Sequence, residues 1–413
     1  MEILTGIYLG YSFLSFYMLF LFILIYVQNR KFLYDAPGPK KNYELSVVFP
    51  CFNVAEVIEE SVENMLSTNY KFLKKVILVD DCSTDNSWEL LKGLEKKYPN
   101  VMAVQTPKQT GNAAGAKNYG AKFVETELIA FSDDDSRPAV DAIDNMIGFF
   151  NDENVAAVTS KVLVKRRNNV LERIQSIEYK IMAFTRKLLN FVDGVYVTNG
   201  PLSIYRMDAF EKIGGFDVNN LTEDIEITWH FVAEGYRVCM GLGASVYTFV
   251  PKTVKHWFVQ RLRWNLGGVQ TIMKYKKSFL RKGMVGKFIL PFFVMGWLIG
   301  LFGILVLGYR MFTRIIFQYF STSYSVASEV AIITFKDVSL VPNVLVFFGV
   351  LTLFLSLVFT SIALLSIREK GFKRNSLWTL IVYMFFYLLA YPIILITAFY
   401  KYLRGYNKWG RRS

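Results

Sequence analysis

Four long stretches of this chain carry no charged side chain: Ile3 to Gln28, Phe288 to Tyr309, Leu340 to Ile367 and Ser376 to Tyr400. At about 1.5 Å per helical residue each is long enough to cross a hydrocarbon layer of roughly 30 Å. Residues 1–28 therefore read as an N-terminal transmembrane helix, and 288–400 as a transmembrane region of about three spans. Pro392 in the last run is tolerable in a membrane helix. The basic residues Arg30, Lys31, Lys40 and Lys41 follow the first run, whereas a cleaved signal peptide has them in front. The positive-inside rule then puts the N-terminus outside and the next segment in the cytosol. Four spans would put the basic tail at 401–413 outside, against the same rule. Arg310 to Ser339, with Arg314, Gln318 and Glu329, reads as an outer loop, an interfacial helix or a re-entrant segment.

The block at 42–250 differs in texture, with short β-branched runs alternating with amphipathic helical patterns, as in an α/β domain. Ser46 to Phe49, Val76 to Val79 and Leu128 to Phe131 have the continuous apolar character of strands buried on both faces. Each ends in Pro or in polar and acidic residues, at the edge where ligands bind in such sheets. A composition of 53% hydrophobic and 20% charged residues excludes disorder. The net charge of +13 fits anionic lipid beside apolar spans better than nucleic acid. Three cysteines and two histidines supply neither a disulfide framework nor a zinc site.

Three acidic clusters stand in or beside this block. Asp80-Asp81 ends a strand, placed either to accept hydrogen bonds from a nucleotide or to form an Asx turn. Asp133-Asp134-Asp135 follows another strand, and adjacent carboxylates repel one another without a counter-cation. A hard divalent ion held by one or two carboxylates, diphosphate and water resolves that repulsion; a solvated turn before Pro138 is the other reading. Thr222-Glu223-Asp224 opens a helical pattern that Thr222 is suited to cap. Residues 251–287 carry ten Lys/Arg between Lys252 and Lys287 and no acid. Interleaved with Trp257, Phe258, Trp264, Ile272, Met273, Tyr275 and Phe279, they read as amphipathic helices on the cytosolic membrane face. Lys165-Arg166-Arg167 reads as a solvated or lipid-facing patch, and Lys117-Asn118 as a phosphate contact or a surface helix.

Together, Val48-Phe49-Pro50-Cys51-Phe52-Asn53, Asp80-Asp81, Asp133-Asp134-Asp135, Thr222-Glu223-Asp224 and Gln260-Arg261-Leu262-Arg263-Trp264 resemble the family 2 membrane glycosyltransferases. These include the hyaluronan, chitin, cellulose and poly-N-acetylglucosamine synthases. The shared pattern is the ordered D, DxD, TED and QxxRW set, covering about Leu45 to Trp264. Asn199 to Arg206 and Gly214-Gly215-Phe216 are nearer the hyaluronan and chitin branch, and Thr-Glu-Asp-Ile the poly-N-acetylglucosamine and cellulose branch.

The resemblance implies an α/β GT-A glycosyltransferase domain, joined to an α-helical transmembrane region and amphipathic interface helices. It implies that Phe52, Asn53 and Asp81 line a uridine pocket with Asp80 in support. Asp133 and Asp135 would hold the nucleotide and a Mg²⁺ or Mn²⁺ ion, Asp135 being the stronger ligand. Gly200 and Pro201 would shape the acceptor side, Asp224 would be the general base beside Glu223, and Trp264 the acceptor platform. Gln260 and Arg263 would close over the diphosphate. A sugar hydroxyl is a poor nucleophile and UDP leaves with added charge, so a base on the acceptor and cations on the diphosphate are what the chemistry needs. One base and no second carboxylate nucleophile gives inversion. The expected enzyme is a UDP-sugar-dependent polysaccharide synthase of the plasma membrane with a cytosolic catalytic domain, extending and exporting a β-linked glycan. Its partners would be the UDP-sugar, the glycan and membrane lipid, with no nucleic acid; an accessory subunit is not identifiable from the sequence. The alternatives are a non-processive transferase acting on a lipid acceptor, and a non-catalytic nucleotide-binding transporter or scaffold.

Overall fold

The computed structural model describes residues 2–281, 283–328, 344–369 and 377–406. Among these residues eight strands form one mixed sheet: β1 (Leu45–Cys51), β2 (Leu73–Asp80), β3 (Val101–Gln105), β4 (Leu128–Phe131), β5 (Arg137–Pro138), β6 (Val155–Val164), β7 (Ser203–Arg206) and β8 (Arg237–Thr248). Their spatial order is β3-β2-β1-β4-β7-β6-β8-β5. β1 runs parallel to both β2 and β4, so the three apolar runs expected as strands are neighbours. Val48 pairs with Ile77 on one side and Phe131 on the other.

Successive side chains in a strand point to opposite faces. Val47, Phe49, Val76, Leu78, Leu128 and Ala130 accordingly pack into one core with α2 (Ile58–Leu66) and α3 (Ser87–Lys97). Val48, Ile77, Val79, Ile129 and Phe131 pack into the other core. That second core contains Ala114 and Ala116 of α4 (Ala113–Ala121), Phe184 and Leu188 of α6 (Val170–Asn190) and residues of the apolar helices. Both faces are closed to water, which is why these strands read as unbroken apolar runs.

Among the described residues four helices are long and apolar enough to cross a membrane: α1 (Glu2–Asn29), α10 (Leu290–Ser328), α11 (Val344–Ser366) and α12 (Leu377–Leu403). α12 keeps Pro392 in its interior. The stretch from Arg310 to Ser328, left open between loop, interfacial and re-entrant readings, continues α10 without a break. At 39 residues that helix is ~58 Å long, nearly twice the roughly 30 Å hydrocarbon layer. Residues 329–343 and 407–413, the latter holding most of the basic tail, lie outside the described residues.

Two expectations change at particular residues. α9 (Val254–Tyr275) packs mainly on α12 and also contacts α8 (Glu223–Ala233), so the Trp257 stem expected in the lipid boundary is enclosed by protein. Trp257 is 1% exposed, packed on Phe386 and Tyr387. The second correction concerns Arg167, whose side chain is not solvated but pairs with buried Glu369, which also receives Lys180 at 2.7 Å. Charges enter protein interiors in such pairs; charge sequence alone cannot reveal a partner two hundred residues away.

Candidate active site

In an open α/β sheet the ligand crevice lies beyond the carboxyl ends of the strands where the strand order reverses. Here that point is between β1 and β4, with β2 and β3 on the far side of β1. β1 runs out into Phe52 and Asn53, β2 into Asp81, and β4 into Asp133. Asn53 and Cys82 both adopt the left-handed region, with φ of 54° and 59°. Side chains rarely sit there unless the surroundings hold them. For Asn53 the hold is visible: its N–H donates to Ser83 Oγ at 3.0 Å and its Oδ1 accepts the Thr84 N–H at 2.9 Å. Phe52 is exposed beside this turn.

Asp80 and Asp81 divide their work. Asp80 is fully buried and accepts from Gln105 Nε2 at 2.8 Å and from the Ser83 N–H, which suits support of the turn. Asp81 accepts from Thr106 Oγ1 at 3.0 Å and Thr110 N–H at 2.8 Å on one oxygen, and from Thr110 Oγ1 and Gly111 N–H on the other. It therefore draws the 106–111 loop against the end of β2.

The acidic residue at the end of β4 meets the tripeptide opening α8 through a lysine. Lys117, on α4, is buried, with Nζ 2.8 Å from Glu223 Oε1 and 3.9 Å from Asp133 Oδ1. Burial works against its charge, but Glu223 and Asp133 hold its pKa well above the usual lysine range. Glu223 is likewise desolvated, yet Lys117 keeps its pKa below the ordinary value. Its neighbour Asp224 goes the other way: burial and the charge of Glu223 push it up to about 7, against the pull of Lys117 and Arg263. One carboxylate is thus held ionised while the adjacent one titrates near neutrality. Thr222 occupies the cap position of α8 but does not cap it; its hydroxyl donates to Asn220 Oδ1 at 3.2 Å.

Asn118, beside Lys117, holds the main chain of Phe216 from both sides, donating to its carbonyl at 2.8 Å and accepting its N–H at 2.9 Å. Gly214 and Gly215 in that turn have φ of 82° and 76°, open to glycine at no steric cost. Gly200 is required for another reason. A Cβ there would stand 2.4 Å from Asp133 Oδ2, and the Gly200 carbonyl accepts the Asp133 N–H at 3.1 Å. Pro201 offers its carbonyl to Ser132 Oγ at 2.7 Å. Gly200 and Pro201 therefore lie against the Asp133 loop.

Asp135 accepts from Thr248 Oγ1 at 3.2 Å. Among the described residues no three His, Cys, Asp or Glu side chains gather as an all-protein metal cage. Asp133 and Asp135, two residues apart just beyond β4, carry hard carboxylate oxygens that would leave room for phosphate oxygens and water around a shared ion. That set fits Mg²⁺ or Mn²⁺ bound together with a diphosphate.

α9 brings the last group. Arg263 lies where its charge acts on Glu223 and Asp224, and its Nη1 reaches the Leu221 carbonyl at 3.5 Å. Gln260 accepts from Arg261, and Trp264 is partly exposed. α6 contributes residues that sequence reasoning missed. The Tyr179 ring is 6.4 Å from that of Trp264. Arg186 is buried over Tyr196, close enough to Asp224 for the carboxylate to favour its charge. Their only signal was helical spacing, Tyr179, Ala183 and Arg186 falling on one face of an amphipathic helix.

Residues 46–214 match the family model described as glycosyl transferase family 2. The poly-β-1,6-N-acetyl-D-glucosamine synthase of Staphylococcus aureus strain COL is 27% identical over 250 residues, 60% of each protein. The synthase of the same name from Staphylococcus epidermidis is 25% identical over 295 residues, 68% of this chain and 71% of that protein. The chain thus aligns with about 60% of the length of the first of these relatives. Among solved structures, a mannosyltransferase from Pyrobaculum calidifontis, in complex with GDP-Man and Mn²⁺, superposes with a TM-score of 0.58 at 19% identity. The superposition covers 95% of this chain and 98% of that one, so the likeness extends beyond the sheet to the apolar helices. The chain thus shares its fold with that glycosyltransferase, and residues 46–214 are similar to the glycosyl transferase family 2 model.

Proposed function

We propose that this protein transfers a sugar from a UDP-sugar to the end of a growing β-linked polysaccharide, with inversion, and exports the product through its membrane helices. The observation that carries this reading is the pair at the start of α8. Asp224 titrates near neutrality beside a Glu223 that Lys117 keeps charged, with Asp133 and Arg263 around them. A general base works best with a pKa near the working pH. Asp224 takes the proton of the acceptor hydroxyl as that oxygen attacks the anomeric carbon; the bond to UDP breaks on the opposite face, giving a β-linkage from an α-linked donor. Arg263 stands by the departing diphosphate. Asp133 and Asp135 would hold a divalent cation whose charge, when bound, offsets that of the leaving group. Phe52, Asn53 and Asp81 line the uridine side, Asp80 and Gln260 support the pocket, Gly200 and Pro201 shape the acceptor side, and Trp264 gives the acceptor sugar a flat face.

The relatives named above make N-acetylglucosamine the first donor sugar to test. The catalytic domain faces the cytosol of the plasma membrane in this reading, where nucleotide sugars are available and basic residues flank the spans. The test is incubation of purified protein in detergent with UDP-N-acetylglucosamine and Mg²⁺ or Mn²⁺, followed by sizing of the product. Polymer with released UDP supports the proposal. A one-sugar lipid indicates the non-processive transferase, and UDP release unchanged in Asp224→Asn indicates a site that does not use this base.

A further inference from the structure

Trp264 is gripped from its own helix. Arg261, three residues earlier on α9, lies over the indole with its guanidinium carbon 4.1 Å from the ring centroid. That guanidinium is itself fixed by Glu178 of α6: Nε donates to Oε1 at 2.9 Å and Nη2 donates to Oε2. The same Oε2 accepts the hydroxyl of Tyr387 at 2.5 Å, and that hydroxyl accepts the Trp257 indole N–H at 3.3 Å. Arg261 is 1% exposed and Glu178 7%. The chain of direct contacts therefore runs from the apolar helix α12 through α6 to the indole.

Two physical points give this chain a purpose beyond packing. A buried carboxylate that loses one of its donors is costly to keep in place. A Tyr hydroxyl on a membrane helix reaches Glu178 only while α12 stays seated against α6 and α9. A shift of α12 thus removes a donor from Glu178, loosens Arg261 and frees the indole it covers. A planar guanidinium fits both jobs at once, forked onto the carboxylate and stacked on the ring, as a lysine could not.

We propose that Glu178, Arg261 and Tyr387 are positioning residues through which membrane helix α12 sets the orientation of the Trp264 indole, and so the affinity for the acceptor glycan. The inference deepens the reading of Trp264 as acceptor platform and rests on it.

The test uses full-length protein with UDP-N-acetylglucosamine as donor and a short β-1,6-linked N-acetylglucosamine oligosaccharide as acceptor. Compared are Tyr387→Phe, Arg261→Lys, Trp264→Ala and the Tyr387→Phe/Trp264→Ala double variant. Tyr387→Phe, which removes one hydroxyl, is expected to raise the acceptor KM about fivefold while leaving the donor KM within about twofold. Arg261→Lys raises the acceptor KM about tenfold. In the Trp264→Ala background, Tyr387→Phe adds nothing, because the group it positions is gone. Equal changes in donor and acceptor KM, or an undiminished effect of Tyr387→Phe without the indole, would show a merely structural role and overturn the proposal. An acceptor KM raised by Trp264→Ala but unmoved by Tyr387→Phe and Arg261→Lys overturns the proposal alone. An acceptor KM unmoved by Trp264→Ala overturns the platform reading first, and the proposal with it.

Discussion

The ammonium of Lys117 lies 2.8 Å from the carboxylate of Glu223, two groups 106 residues apart in sequence and both enclosed by protein. Removing one partner of such a pair leaves an unpaired buried charge, which costs ~3–5 kcal/mol. Lys117→Met should therefore lower the unfolding temperature in detergent and abolish sugar transfer. Adding Glu223→Leu should restore much of the thermal stability, since a well-packed apolar pair replaces a buried ion pair at little cost. Activity should not return, because Asp224 would have lost the charged neighbour that helps keep its pKa near 7. Thermal unfolding and UDP release measured on the same preparations separate these effects.

The pH dependence follows from Asp224. Its pKa is raised to about 7, so the ionised, base-competent form grows as pH climbs through that value and is lost below it. The rate at saturating substrates should rise about tenfold per pH unit on the acid side and level off above about 7. Asp224→Asn should remove the pH-dependent turnover, with donor binding retained. A rate limb near the ordinary carboxylate range, around pH 4, would assign the base elsewhere.

How far the sequence could be read depended on the range of the forces involved. Strands β1, β2 and β4 were legible because burial on both faces leaves an unbroken apolar run, visible in Val76 to Val79 and Leu128 to Phe131. The apolar helices were legible for the same local reason. The acidic clusters could be seen, and the structure brings Asp133, Glu223 and Asp224 around one lysine. Lys117 itself stayed ambiguous, since nothing in Lys117-Asn118 shows which carboxylate a lysine will meet. Glu178 and Tyr387 carried no motif at all; their meaning lies in Arg261, from which Glu178 is 83 residues distant and Tyr387 is separated by membrane helices. That Trp257 of α9 turns toward α12 was not legible, because an apolar stripe looks alike whether it faces lipid or protein.

Gly200 gives a test of the carboxylate at the end of β4. A methyl group there would fall 2.4 Å from Asp133 Oδ2 and 2.8 Å from Oδ1, so the carboxylate must swing away. Gly200→Ala should leave the fold intact, because the displaced group is a half-exposed side chain rather than backbone. It should raise the Mn²⁺ concentration needed for half-maximal UDP release by about tenfold, judging from mutations that disturb the groups orienting metal ligands. Asp135→Ala should abolish metal-dependent turnover, and full activity in EDTA would contradict both expectations.

Asn118 is the last such point, and its variants separate a lost donor from a lost acceptor. Its amide pairs with both the N–H and the carbonyl of Phe216, whose ring packs 4.9 Å from that of Phe131 and 5.4 Å from the Lys117 ammonium. Asn118→Ala leaves two main-chain groups unpaired, at ~1–3 kcal/mol for each that stays dry. Asn118→Asp keeps the acceptor for the Phe216 N–H but turns the donor into a second oxygen facing a carbonyl, which repels it. The alanine variant should lose stability and let the 214–216 turn drift from Lys117. The aspartate variant should lose at least as much, because its new charge is drawn toward Lys117 and competes with Glu223 for the ammonium. If instead the aspartate variant unfolds at the wild-type temperature, the carbonyl contact contributes nothing and the turn is held by its glycines and the Phe216 ring alone.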